Sequence, residues 1–194
     1  MPRFSEHLLI NASFNKKLCV FSYNSRGFGK EKEAFCNFLL SNKFVGDKIP
    51  ILCNQEHFIL RGNCYRIEQA FPQCHTLIKP AMKENFDNGR ARNGMFIAVP
   101  KVLINKPLDV SPLHWRVQAA LLTCMNSKIL IINTYFPVDD RNSKNCESTE
   151  LVEVLEVIKS IVHKYAHDKL LLLGDINANF SRRSPHCLYV VNFI

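Results

Sequence analysis

The stretch from Lys169 to Phe180, KLLLLGDINANF, constrains this chain more than any other. Leu170 to Leu173 form a short apolar run without alternation. That predicts a strand buried on both faces, in the middle of a layered sheet. Gly174 ends the run, since glycine permits the sharp turn or close backbone approach of a strand end. Asp175 and Asn177 follow two apart, so on an extended backbone they point the same way. A buried strand that delivers a carboxylate and an amide to its carboxyl end is a common way to build a site. The same two residues also suit an Asx-type turn.

A length of 194 residues favours one domain, and a hydrophobic content of 47% is enough for a packed core. No apolar run reaches the ~20 residues that a membrane helix needs. The first residues, MPRFSEHLLINASFNKKL, lack a long apolar core, so no signal peptide is expected. The net charge of +8 suits a polyanionic partner. Eight cysteines are present, yet no CxxC pair occurs. Several sit inside apolar strand-like or helical patterns, which reads as buried, reduced thiols rather than a disulfide framework or a zinc site.

Residues 1–16 are weakly patterned and read as a weakly ordered lead-in. Lys17 to Asn24 reads as a strand, and the following SRGFG as a turn. Glu31 to Asn42 carries an apolar stripe of Ala34, Phe35, Phe38 and Leu39, which predicts an amphipathic helix. Ile49 to Gln55 reads as a second strand, so the three elements form a parallel crossover. Residues 57–93 read mostly as loop with short extended pieces. From Thr76 to Lys106 there are six Lys or Arg against two acids, a locally basic stretch. Met95 to Val99 reads as a strand. Trp115 to Met125 and Lys128 to Phe136 read as an antiparallel hairpin. Glu150 to His167 is predicted to be a helix with Leu151, Val154, Leu155, Ile158, Ile161 and Val162 on one face, capped by Ser148 or Thr149. Six acids against two bases between Asp139 and Glu156 turn that side away from phosphates.

On this layout Asn24, Glu56, Tyr135, Asp175 and Asn177 all sit at strand ends. A strand-end carboxylate with polar neighbours suits Mg²⁺, which takes a few hard oxygens and keeps several waters. A phenol and two amides are neutral donors suited to a phosphate oxygen, and a second carboxylate can orient a water.

Four motifs in order, SYNSRG (22–27), NQEH (54–57), NTYFP (133–137) and GDINANF (174–180), resemble the endonuclease/exonuclease/phosphatase family of DNase I-like enzymes. GRARNGMFIAV (89–99) and WRVQAALL (115–122) resemble more particularly the endonuclease domain of non-LTR, LINE-type retrotransposons. The resemblance runs from residue 17 to 180 and leaves 181–194 as a divergent apolar tail. It implies a four-layered α/β sandwich and Mg²⁺- or Mn²⁺-dependent hydrolysis of a phosphodiester in DNA. It implies Glu56 as chief metal ligand with Asn24 in support, and Tyr135 as donor to the scissile phosphate. Asp175 positions the attacking water, and Asn177 holds a phosphate oxygen or orders Asp175. Arg90 and Arg92 bind nucleic acid. It further implies an intracellular, nuclear place of action without a membrane, as a monomer or fused to a reverse transcriptase.

Two departures from the family pattern stand out. Asn93 occupies one position of a glycine pair. The family's late Asp and its Ser-Asp-His motif have no counterpart in these 194 residues, since His186 has no aspartate beside it. His163 and His167 are spaced i, i+4 without an HExxH pattern and read as surface residues. The expectation is therefore an incomplete sandwich with impaired catalysis. A phosphoesterase for small phosphates and a non-catalytic nucleic-acid-binding remnant are the alternatives.

Overall fold

The computed structural model describes residues 17–41, 46, 48–83, 89–104, 106–124, 127–138 and 149–177, together with the backbone of 5–11. The strands are β1 (Ser5–Asn11), β2 (Lys17–Asn24), β3 (Ile49–Gln55), β4 (Cys74–Lys79), β5 (Met82–Lys83), β6 (Ala91–Arg92), β7 (Met95–Pro100), β8 (Leu108–Asp109), β9 (Val117–Cys124), β10 (Ser127–Tyr135) and β11 (Lys169–Asp175). The α-helices are α1 (Lys30–Leu39), α2 (Tyr65–Ala70) and α3 (Thr149–Lys164). One sheet has the order β1-β2-β3-β7-β4, a second β11-β10-β9-β8, and β5 and β6 form a ribbon.

The four layers follow from alternation along the strands. Leu18, Val20, Ile51, Cys53, Ile97 and Val99 of the first sheet face Ala120, Leu122, Ile129, Ile131, Leu171 and Leu173 of the second. The intervening residues face outward to helices. Phe21, Leu52, Phe96 and Ala98 pack with Cys36 and Leu39 of α1 and Ile67 of α2. Val117, Ala119, Leu130 and Ile132 pack with Leu151, Val154, Leu155, Ile158 and Ile161 of α3. Helix, sheet, sheet, helix is the expected sandwich.

Two crossovers set the site. β2 and β3 run parallel around α1, with Asn24 beside Gln55. β10 and β11 run parallel around α3, with Tyr135 beside Asp175. β9 and β10 pair antiparallel as the expected hairpin.

Several expectations are corrected. Residues 5–11 form an edge strand on β2 rather than a lead-in. β11 has only β10 as a neighbour among the described residues, and Leu170 is 42% exposed, so the leucine strand is not central there. Region 57–93 contains β4 and α2. CHTLIK hides its strand because His75 and Thr76 interrupt an apolar pattern, and six residues are too few for α2 to show a helical period. In α1 the predicted Leu39 is buried and Phe35 packs partly on the core, but Cys36 is buried as well and Phe38 is 48% exposed. α3 ends at Lys164, three residues before His167. The tail 181–194, with His186, lies outside the described residues. Cys36, Cys53, Cys74 and Cys124 are buried thiols outside any disulfide. Burial pushes Cys36 and Cys53 up to about 12, which keeps them protonated and unreactive.

Candidate active site

The β2–β3 and β10–β11 strand pairs end on the same side of the sandwich, and their last residues meet across the two sheets. Asn24 stands between two carboxylates. Its Nδ2 donates to Glu56 Oε2 at 2.6 Å and to Asp175 Oδ2 at 2.9 Å, while its Oδ1 accepts from the Arg26 N–H at 3.1 Å. Tyr135 joins from β10, its phenol close enough to Glu56 and Asn177 for both to act on its ionisation. Burial first, then the nearby charges of Glu56 and Asp175, raise its pKa, which holds the phenol protonated as a donor. Asn177 donates from Nδ2 to the Phe136 carbonyl at 2.7 Å, and its N–H donates to Asp175 Oδ1 at 3.1 Å. The Asx turn and the site are thus the same structure. All five strand-end residues converge.

The loops that hold them are strained. Nine described residues have positive φ, and all except Gly46 lie at or next to these strand ends: Arg26, Gly27, Glu56, Phe58, Asn93, Gly94, Gly174 and Asn177. A non-glycine residue in that region costs roughly 1 kcal/mol or more, and such residues cluster where a site is over-determined by its surroundings. Glu56, at φ 55, is clamped on both sides. Its carbonyl accepts from Gly27 N–H at 2.7 Å. His57 behind it is 1% exposed. The His57 N–H donates to the Gly94 carbonyl at 3.2 Å, and its carbonyl accepts from Phe28 N–H at 3.0 Å. Its Nδ1 accepts from Ile59 N–H at 2.9 Å, so Nε2 carries the proton given to the Lys79 carbonyl at 3.1 Å. Burial lowers its pKa to about 4, so the ring is neutral. Asn93 (φ 65) and Gly94 (φ 86) both sit in the left-handed region, where Asn replaces Gly most readily. That accounts for the departure at position 93.

Arg90 and Arg92 are exposed, Arg90 just ahead of β6 and Arg92 at its end, in the segment that leads into this turn. Sequence reasoning missed a second basic surface. A groove of about 530 Å³ beside Gly27 and His57 is lined by four cations, Arg26, Lys30, Lys32 and Arg66, against one acid, Glu31, with half-buried Phe58. It also missed what braces Tyr135. Arg116 grips Glu150 of α3 with Nε at 2.7 Å and Nη2 at 3.0 Å, and donates from Nη1 to the Tyr135 carbonyl at 3.2 Å. Its guanidinium lies 3.8 Å from the Trp115 ring centre and 5.1 Å from that of Tyr135. The signal was available in Trp115-Arg116 just ahead of β9.

Beneath the site the sheet interface turns polar. Gln55 Nε2 donates to Asn133 Oδ1 at 2.6 Å and to Ser22 Oγ at 3.1 Å. Asn133 Nδ2 donates to the Asn54 carbonyl at 3.0 Å, and Gln118 Nε2 to the Leu77 carbonyl at 2.8 Å. Gln55 Oε1 and Asn54 Nδ2 have no partner.

No family model and no curated protein matches the chain. Solved structures do. The 3′ phosphatase NExo from Neisseria, bound to product DNA hairpin, is similar with a TM-score of 0.54 at 17% identity, covering 81% of this chain and 57% of that one. The endonuclease domain of TRAS1, a telomere-specific non-LTR retrotransposon, gives 0.60 at 14% identity, covering 90% and 69%. The AP endonuclease LMAP from Leishmania major gives 0.65 at 12% identity, covering 98% and 71%. This chain spans little more than half the length of the Neisseria enzyme. Identities this low speak for architecture alone, and the architecture is the DNase I-like endonuclease/exonuclease/phosphatase fold.

Proposed function

We propose that the chain is a DNA-cleaving phosphodiesterase domain of retrotransposon type. The observation that carries this reading is the meeting of Asn24, Glu56, Tyr135, Asp175 and Asn177 at strand ends from two different sheets. The donor set fits a hard divalent cation. Two carboxylates face one point, and the Asn24 NH₂ occupies the position between them as a positively polarised stand-in, its Oδ1 turned to the Arg26 N–H. Mg²⁺ bound by one or two carboxylates and otherwise by water is a common arrangement. Glu56, with Asn24, would hold Mg²⁺ or Mn²⁺, which supplies charge neutralisation at a phosphate oxygen. Tyr135 then donates its phenolic proton in a hydrogen bond to the phosphate. Asp175, fixed by Asn24 and the Asn177 N–H, accepts from the attacking water. Asn177, tied to Phe136, orders that carboxylate.

The groove of Arg26, Lys30, Lys32 and Arg66, with the exposed Arg90 and Arg92, favours a polynucleotide over a small phosphate ester. Residues 1–194 contain no counterpart of the family's late Asp and Ser-Asp-His motif. Losing members of a catalytic set commonly lowers rate by several orders of magnitude. The expected result for these 194 residues is salt-dependent DNA binding with weak nicking. Joining a family-like carboxyl-terminal segment raises the nicking, and Glu56→Gln in that longer protein removes it. Hydrolysis of a small phosphate ester in preference to DNA, or nicking indifferent to Glu56→Gln, overturns the reading.

A further inference from the structure

Lys79 is the last residue of β4, on the edge of the first sheet, and both of its ends are engaged. Its ammonium crosses to the second sheet and donates to the carbonyls of Pro112 at 2.7 Å, His114 at 2.8 Å and Val117 at 2.6 Å. An ammonium has three donors, and all three are used. Its own carbonyl accepts from the His57 ring at 3.1 Å, one residue beyond Glu56. The loop it grips carries Arg116, whose carbonyl accepts from Tyr135 N–H at 2.9 Å and from Thr134 Oγ1 at 3.1 Å. A short chain of contacts therefore runs Glu56, His57, Lys79, the 112–117 loop, Arg116, Tyr135. Glu56 comes from one sheet and Tyr135 from the other. A half-buried lysine satisfied only by carbonyls is a costly way to hold two sheets together, since apolar packing does that at least as well. What it adds is directional: one rigid residue whose two ends set the spacing of two loops.

We infer that Lys79 is a positioning residue that fixes the Glu56 turn relative to the Tyr135 strand. The inference rests on the function proposed above for those two residues, and its test is separable from that function.

Trp115 is the only tryptophan in the chain and lies within the gripped loop, so its fluorescence reports on one end. The His57 imidazole ¹⁵N shifts report on the other. Burial lowers the Lys79 amine to about 8, and Asp109 on β8 opposes that shift. His114 of the loop senses the Lys79 charge along with Glu150 and Glu153 of α3 and Arg116, and His57 lies at the Lys79 carbonyl. His114, stacked 6.3 Å from Trp115 and held below its ordinary pKa by burial, gives a separate acid limb.

The experiment follows Trp115 emission, acrylamide quenching and the His57 shifts from pH 5 to 9.5 in the full chain and in Lys79→Met. The full chain is expected to show a transition near pH 8 in both probes. Lys79→Met is expected to lose that transition and to raise the quenching constant about two-fold at pH 7, as a loosened loop would. Lys79→Gln serves where the Met variant does not fold, and the transition in the unaltered chain is informative without either. In the carboxyl-terminally extended protein, Lys79→Met should lower kcat with KM held, as misplacement of aligned groups does. Probes unmoved by the substitution, or a response at Trp115 with none at His57, overturn the inference, because Lys79 then only holds a loop. Nicking indifferent to Glu56→Gln defeats the proposed function and leaves the two spectroscopic readouts standing.

Discussion

Gly94 lies against the His57 ring so closely that a Cβ there would fall 2.5 Å from Cε1 and 2.8 Å from both ring nitrogens. Its φ of 86 is also one that side chains rarely adopt. Gly94→Ala therefore meets two costs, a left-handed alanine and an overpacked ring. Together they should destabilise the fold by about 2–4 kcal/mol, read as a shift of the urea midpoint. The neighbouring Asn93→Gly, which relaxes a left-handed position without filling space, should be neutral or slightly stabilising. A Gly94→Ala protein as stable as its parent would mean that the ring is not held where it is described.

The buried His57 makes stability depend on pH in a stated direction. Its folded pKa is depressed from 6.5 to about 4, so the unfolded chain binds the extra proton first. Stability is fully present above pH 6.5 and falls as pH drops from 6.5 towards 4, by about 3 kcal/mol if no other group intervenes. Urea unfolding at several pH values measures the slope, and His57→Asn removes most of it. Asn keeps an acceptor for the Ile59 N–H but does not titrate. An equal slope in the His57→Asn protein would assign the effect elsewhere.

Asn24 separates Glu56 from Asp175, and Asn24→Asp replaces its two donated hydrogen bonds with a third negative charge. In a chelator the variant should lose about 2 kcal/mol or more of stability. Added Mn²⁺ or Mg²⁺ should restore it, and should raise the melting temperature of the variant more than that of the parent. No cation dependence in either protein would argue that the cluster is a hydrogen-bonded strand end without affinity for metal.

Tyr135→Phe removes one hydroxyl while keeping the ring against Trp115 and Arg116. Nicking by the carboxyl-terminally extended protein should fall about 10²-fold or more, in kcat, if the phenol donates to charge that develops in the transition state. Thermal stability should fall by no more than about 1 kcal/mol, the net worth of a typical hydrogen bond, because the packed ring is kept. An unaltered kcat would leave Tyr135 as a packed aromatic only.

The architecture was readable because its strands are apolar runs with clear ends. LCVFSYN, IPILCNQ and KLLLLGD stop at the residues that form the site, so finding the strands also located Asn24, Glu56 and Asp175. The rest was hidden for physical reasons. Lys79 resembles any surface lysine in sequence, since its importance lies in carbonyls more than 30 residues away. β4 mixes His75 and Thr76 with Leu77 and Ile78, so neither a period of 2 nor an unbroken run appears. In α1 the spacing selected Ala34, Phe35, Phe38 and Leu39; Leu39 is buried and Phe35 packs on the core, yet Cys36 turns inward and Phe38 outward, because packing sets how far a broadly apolar helix is rotated. Arg116 and Glu150 are 34 residues apart, and nothing local announces their pairing.

The amide seam of Gln55, Asn133 and Gln118, with the Asn54 carbonyl, has a consequence for how the two halves find each other. Apolar faces alone can slide or rotate with little penalty, since dispersion and burial have no preferred direction. Amides buried at one end of the interface make their cross-sheet bonds in one alignment, and a shift by a single residue would break those between Gln55, Asn133 and the Asn54 carbonyl. The seam thus works like the key of a two-part mould. Its grease is the aliphatic bulk, and its notch sits directly under Glu56 and Tyr135, where an error of an ångström matters most.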